Sequence, residues 1–267
     1  MDLKQKTYLL VTGASRGIGR EFAQQLSQRI QSVGSLVVLM GRSQPLLEET
    51  KANILKESPD LSVRTFALEL STARAEDFGG IIFESLNHAE AYPRNFQRAV
   101  IIHNAGTVGD TSKRAREIGD TEYLQQYYHT NVFSAISLNC QFMRIFGDIP
   151  KLVVNLSTLA AIAPISSMAY YCTVKAAREM YFRVLATEES APGTLVLNYA
   201  PGMIDTQMTV QVQREAHDPA VVAMFREQRE AKTMLTPPQT TERFIQVLEA
   251  QRFKSGDHVD YKDHDAA

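Results

Sequence analysis

The chain has little cysteine, almost no charge imbalance and no long hydrophobic run. Its 267 residues include two cysteines, Cys140 and Cys172. So few thiols exclude a disulfide scaffold and the common cysteine-rich zinc modules, and no metal is expected. Lysine and arginine number 28 against 30 aspartate and glutamate, a formal net charge of −2. Nucleic-acid binders usually show a basic excess, so no nucleic-acid partner is expected. No apolar stretch approaches the ~20 residues that cross a bilayer. The run Tyr8-Leu9-Leu10-Val11 is too short for a signal-peptide core. These absences lead to the expectation of a cytoplasmic protein with no membrane partner. Hydrophobic residues at 44% and charged residues at 22% fit a globular chain rather than a disordered one. No repeat, low-complexity tract or linker divides it, so residues 1–267 read as one domain.

What is present is alternation. Short apolar runs at 8–11, 36–40, 63–68, 99–102, 152–156 and 195–199 read as strands, with an edge strand at 258–259. Amphipathic stretches separate them. Ile18, Phe22, Leu26 and Ile30 recur every four residues and share a helical face. Further helices are expected over 46–55, 73–89, 121–146, 170–188 and 240–250; Gly79-Gly80 weakens the third of these six. Strand–helix alternation implies an α/β fold, a doubly wound parallel sheet of Rossmann type with helices on both faces. Uninterrupted Val/Ile/Leu strands fit, because parallel strands are buried on both sides. The segment 203–238 is more polar and irregular, with a helical patch at 221–231. It reads as an insertion that covers the substrate.

Between the first strand and first helix lies Thr12-Gly13-Ala14-Ser15-Arg16-Gly17-Ile18-Gly19. Glycines here permit a tight turn, close backbone approach to a pyrophosphate, and packing of helix on strand. The following helix start offers free N–H groups and a positive dipole end to phosphate. The strand-before, helix-after context marks a dinucleotide site. An NAD site would place an acid just after the second strand. Here that strand ends Met40-Gly41-Arg42-Ser43. Arg42, joined by Arg16, matches a 2′-phosphate through forked, charge-assisted hydrogen bonds. The expected cofactor is therefore NADPH/NADP.

Tyr171-Cys172-Thr173-Val174-Lys175 sets a phenol and an ammonium four residues apart, on one helical face. A free phenol has a pKa of ~10 and is a poor acid–base near neutrality. A neighbouring Lys⁺ is expected to lower it towards the working pH. Tyr170 lacks this partner, since Val174 lies four residues on.

Together, the segment 12–19, Asn104-Ala105-Gly106, Asn131, a hydroxyl before Tyr171, Tyr171-x-x-x-Lys175 and Pro201-Gly202 resemble the short-chain dehydrogenase/reductase family. The resemblance runs from about residue 7 to 250. It implies that Tyr171 is the acid–base, that Lys175 binds the nicotinamide ribose and tunes Tyr171, and that Asn131 supports a proton-relay water. It also implies a hydroxyl that orients the carbonyl. The family spacing of thirteen residues before the tyrosine gives Thr158, with Ser157 as the alternative. A threonine hydroxyl can do what serine does, although its branched Cβ restricts the rotamer. The cofactor set implied is Gly13, Ser15, Arg16, Gly17, Ile18, Gly19, Arg42, Ser43, Glu69, Leu70, Asn104, Lys175, Ile204 and Thr206. Two departures stand out. His103 precedes Asn104 where the family commonly has asparagine, and reads as a strand-end packing residue. Glu69 stands where aspartate is commoner.

Three stretches resemble the branch of this family that reduces the side-chain carbonyl of pterins: 175–180, 198–206 and 253–260. The chain near Ser190 fits as well. The resemblance implies that Asp260 anchors the pterin, whose amino-pyrimidinone edge offers adjacent N–H donors to a carboxylate. The implied substrate contacts are Thr158, Tyr171, Gly202 and Asp260. The alternatives are a carbonyl reductase for another ketone or diketone, and a catalytically silent dinucleotide sensor on the same fold. The family usually pairs through two long helices, so a homodimer through 121–146 and 170–188 is implied. The final Tyr261-Lys262-Asp263-His264-Asp265 is charged and expected to fray. It also resembles an epitope-tag fragment.

Overall fold

Short β-branched and leucine-rich runs, buried on both faces, build the centre of the molecule. The computed structural model describes residues 1–189 and 193–263. Ser190 and the tail from His264 lie outside the described residues. The strands are β1 (Thr7–Thr12), β2 (Leu36–Gly41), β3 (Ser62–Ala67), β4 (Arg98–His103), β5 (Lys151–Leu156), β6 (Thr194–Ala200) and β7 (His258–Asp260). They form one sheet in the order β3-β2-β1-β4-β5-β6-β7, every pair parallel. The helices are α1 (Gly17–Ser27), α2 (Gln44–Glu57), α3 (Ala75–His88), α4 (Thr121–Tyr128), α5 (Ser134–Ile145), α6 (Ala169–Glu188), α7 (Gln207–Glu215), α8 (Pro219–Glu230) and α9 (Pro237–Ala250). This is the expected Rossmann-type architecture.

Period-two alternation divides each central strand between two cores. Leu9 and Val11 of β1 pack with Phe22, Leu26, Phe244 and Leu248 of α1 and α9. Tyr8 and Leu10 face the other way, against Phe78, Ile82, Phe142 and Phe182 of α3, α5 and α6. Each of these fully buried side chains contributes about 1.5–3 kcal/mol by leaving water. Strand order reverses between β1 and β4, so their carboxyl ends splay apart and open a crevice there.

Three details differ from the reading of the sequence. The expected helix over 121–146 is interrupted by a π-helical turn, His129–Phe133, between α4 and α5. Segment 203–238 contains two helices, α7 and α8, rather than one patch. Its Val212, Val221, Phe225 and Met234 form an apolar cluster with Val108 and Met168. The chain just past β7 is tied down rather than frayed. Tyr261 N–H donates to Ala200 O at 2.9 Å, and Arg243 reaches Asp263 O at 2.7 Å. No helix among the described residues is long and apolar enough to cross a membrane.

Candidate active site

The crevice at the β1/β4 reversal is a cavity of about 560 Å³. Its floor is the glycine turn. Gly13 has φ +67°, and a Cβ there would lie 2.7 Å from Asn104 Nδ2. A Cβ on Gly19 would meet Gly13 O at 2.3 Å, so only glycine lets α1 start this close to β1. Gly17 also has positive φ, +57°, which an L side chain would strain. Thr12 and Asn104 lock the two strand ends together. Thr12 Oγ1 accepts from the N–H groups of Asn104 and Ala105, both at 3.0 Å, and Asn104 Nδ2 donates to Thr12 O at 2.9 Å.

The start of α1 carries no side-chain cap and no acid in its first turn. Its N–H groups therefore suit an anion. Arg16 and Arg42 line the cavity, and neither forms an ion pair among the described residues. Arg20, by contrast, is committed to Glu49 at 2.8 Å and Ser15 O at 2.6 Å. These features fit a phosphorylated dinucleotide.

Of the expected cofactor set, Gly13, Ser15, Arg16, Gly17, Ile18, Arg42, Glu69, Leu70, Asn104 and Thr206 line this cavity. Gly19 underlies the turn. Ser43, Ile204 and Lys175 do not border it. Ile204 is buried and bridges to Leu235. Residues the sequence left without a role also line it: Thr107, Thr130, Met208, Val210 and Pro237. A second cavity, about 410 Å³, continues from Arg16 and Thr107 along α7 to Gln211 and Arg214.

Tyr171, Lys175 and Glu179 recur every four residues along α6, on one face. Lys175 Nζ lies 5.5 Å from the centre of the Tyr171 ring and donates to Leu156 O at 2.6 Å. The expectation that Lys175 lowers the Tyr171 pKa is not what this arrangement gives. Burial pushes the phenol up, to about 12, and the main opposing charge is Arg178. Lys175 is itself buried, which drives its own pKa well down and weakens it as a cation. The phenol is therefore held protonated, as a donor. Tyr171 packs against the apolar cluster that Val212 of α7 and Val221 and Phe225 of α8 share with Val108 and Met168.

Arg178 was not singled out by sequence reasoning. It is buried, and donates to Asn155 Oδ1 at 3.0 Å, Ala105 O at 2.9 Å and His103 O at 2.5 Å. It ties α6 to the ends of β4 and β5. Its position seven residues after Tyr171, on the same face, was the available signal. His103 is the packing residue expected: buried, 3.3 Å from Asn139 Oδ1, and lowered to about 3 by burial and then by Arg178.

Asn131 sits in the π turn. Its Oδ1 accepts from Thr107 N–H at 2.8 Å, and its Nδ2 donates to Tyr127 O at 2.9 Å. It fixes the cavity-lining Thr107 loop and takes up a backbone carbonyl near the irregular turn. The two hydroxyl candidates part company. Ser157 is buried and donates to Glu179. Thr158 is only partly buried, and its Oγ1 accepts from Ala160 N–H at 3.3 Å, leaving its own O–H uncommitted. Gly202 has φ +80°, and a Cβ there would press on Leu235 at 2.8 Å and Tyr261 at 3.4 Å. Asp260 pairs in register with Ala200, two residues before Gly202. Its Oδ1 accepts Lys262 N–H at 3.0 Å. Among the described residues no cluster of acidic, histidine or cysteine side chains could hold a metal ion.

A nucleotide-sized crevice at a parallel-sheet switch point, in a chain that carries a Tyr-Lys pair on α6, fits an oxidoreductase. The family model for short chain dehydrogenases matches residues 7–217, and the chain belongs to that family. It is similar to the sepiapterin reductase of Xenopus tropicalis, 35% identical over 257 residues, 95% of each chain. It is also 26% identical to a benzil reductase of Bacillus cereus, over 94% of this chain and 98% of the relative. A solved short chain dehydrogenase from Salmonella enterica superposes with a TM-score of 0.79 at 25% identity, covering 98% of both chains.

Proposed function

We propose that this oxidoreductase uses NADPH to reduce the side-chain carbonyl of a pterin, as a sepiapterin reductase. The observation that supports the reading best is the register of β7, which pairs Asp260 with Ala200 at the carboxyl end of β6, two residues before Gly202. The similarity to sepiapterin reductases along nearly the whole chain supports it. The cofactor set is the one named above, with Arg42 and Arg16 holding the 2′-phosphate. When bound, NADPH supplies the hydride. Asp260 accepts paired hydrogen bonds from the amino-pyrimidinone edge and directs the side chain inward. Thr158, with its uncommitted hydroxyl, orients the carbonyl oxygen, and Ser157 braces Glu179 instead. Tyr171, kept protonated by burial, gives its proton to the developing alkoxide. Lys175 leaves Leu156 O to hydrogen-bond the nicotinamide ribose, and Asn131 steadies the relay and the Thr107 loop. The chain acts as one reductase domain with 203–238 covering the substrate, works in the cytoplasm, and pairs as a homodimer.

Asp260→Ala tests the anchor. The KM for sepiapterin is expected to rise by about tenfold or more, the loss of a charge-assisted pair. The KM for diacetyl, which has no ring edge to anchor, should hold within twofold. Equal changes for both substrates would remove Asp260 from the site. A second reading, reduction of diketones as the main activity, draws on the similarity to benzil reductase. The same assay favours it if diacetyl or benzil outpaces sepiapterin.

A further inference from the structure

The Ser157–Glu179 contact continues to a partly buried imidazole, His258, that has no role so far. Glu179 is 3% exposed. Its carboxylate receives the Ser157 hydroxyl, and His258 Nδ1 at 2.9 and 3.0 Å to its two oxygens. These contacts join three segments: the turn after β5 that carries Thr158, the helix α6 that carries Tyr171 and Lys175, and the strand β7 that carries Asp260. Glu179 lies one helical turn beyond Lys175, and His258 lies two residues before Asp260. Period two places His258 and Asp260 on the same face of β7, while Val259 turns into the opposite core.

β7 needs such a tie. It has three residues and pairs only with β6, at an edge of the sheet. Backbone bonds hold it at Asn198 to Asp257 O, 3.0 Å, and Tyr261 to Ala200 O, 2.9 Å. These fix its height along β6 but not its approach to α6. The carboxylate–imidazole contact supplies that coordinate.

We infer that Glu179 and His258 are positioning residues that clamp the Asp260-bearing strand to the Tyr171 helix, setting affinity for the ring of the substrate rather than the rate at its carbonyl. This rests on the reading of Asp260 as the ring anchor. The clamp is strongest with a charged imidazole. His258 is faced by Glu179 from α6, by Asp260 on its own strand and by Asp263 in the turn beyond. Asn198, on the paired β6, is neutral. Glu179 is faced by Ser157, by Arg183 and, one turn back, by Lys175 of α6. The hydrogen bond that His258 gives to Glu179, first among these, raises His258 above its ordinary value of 6.5. The charged clamp is thus complete below the unfolded value and is lost as pH rises through the raised folded value.

The test reads KM and kcat for sepiapterin and for diacetyl, with NADPH saturating, in the wild type, Glu179→Gln, His258→Gln and Asp260→Ala. Imidazole titration of His258 by NMR runs beside it in the wild type. The expected result is a rise of about fivefold in sepiapterin KM for both clamp variants, with diacetyl KM within twofold in both and kcat for both substrates within twofold in His258→Gln, which leaves the Glu179 charge beside Lys175 in place. The wild-type sepiapterin KM should climb with the same midpoint as the imidazole titration, and that pH dependence should vanish in His258→Gln. Unchanged sepiapterin KM, or equal rises for both substrates, overturns the inference. If neither clamp variant folds, the wild-type comparison decides: a KM profile that does not follow the imidazole overturns it, and one that does supports it. If Asp260→Ala leaves sepiapterin KM untouched, the anchor itself fails. If Asp260→Ala raises it and the clamp variants do not, only the clamp fails.

Discussion

At the scale of single residues, burial decides the chemistry more than neighbouring charge does. Tyr171 and Lys175 stand four residues apart as the spacing requires, yet the phenol is pushed up to about 12 because both groups are desolvated together. Such a tyrosine stays protonated, the form the proposed carbonyl reduction needs. Arg178 supplies the fixed positive charge in this region. Its three acceptors, two of them backbone carbonyls, explain how a guanidinium is held where no carboxylate partners it. The spacing of Tyr171 and Lys175 was legible in the sequence. Arg178 was not, because an arginine in a helix usually lies on the solvated face. Arg42 belongs to the opposite case: exposed, unpaired and bordering the crevice. Arg42→Ala is expected to raise the KM for NADPH by roughly tenfold to a hundredfold, the worth of hydrogen bonds to a charged phosphate. The KM for NADH should stay within twofold. Steady-state kinetics with both cofactors checks this, and a parallel rise for NADH would place Arg42 away from the 2′-phosphate.

Among the elements, those with a clean period could be read from the chain and those with a broken one could not. The strands 8–11, 36–40 and 99–102 are continuous apolar runs, and each forms a buried parallel strand. The π turn at His129–Phe133 escapes detection because one extra residue in a helix scarcely disturbs its apolar spacing. α7 escapes for a different reason. Met208, Val210 and Val212 alternate at period two, which suggests a strand. In the helix, Val212 faces the covering cluster while Val210 lines the dinucleotide crevice. Segment 203–238 thus forms a layer whose apolar side chains share a small cluster with Val108 and Met168, against which Tyr171 packs. Phe225→Ala should destabilise this layer by about 3 kcal/mol. Amide exchange should then accelerate through α7 and α8 while β1, β4 and β5 keep their protection. Equal acceleration in the strands would mean that the layer does not open by itself.

For the molecule as a whole, the sheet order brings distant parts of the chain to one edge. Residues 15, 42, 105 and 206 border the crevice at the β1/β4 reversal, whereas Tyr171, on the helix after β5, and Asp260, the last residue of β7, are not among its lining residues. The fold class and glycine turn were plain in the sequence, because each rests on local residue types. The closeness of Glu179 to His258 was not, since it depends on a three-residue strand adding to β6 after a long excursion. The account stands on Tyr171 as the proton donor in an NADPH-dependent reduction of a pterin side chain. The most direct measurement is loss of NADPH absorbance on adding sepiapterin to the wild type and to Tyr171→Phe. The wild type should consume NADPH. The variant should bind it equally well but turn over about 10²–10⁴ times more slowly, the range for a lost general acid. Wild-type turnover by Tyr171→Phe, or no consumption by the wild type, would contradict the account.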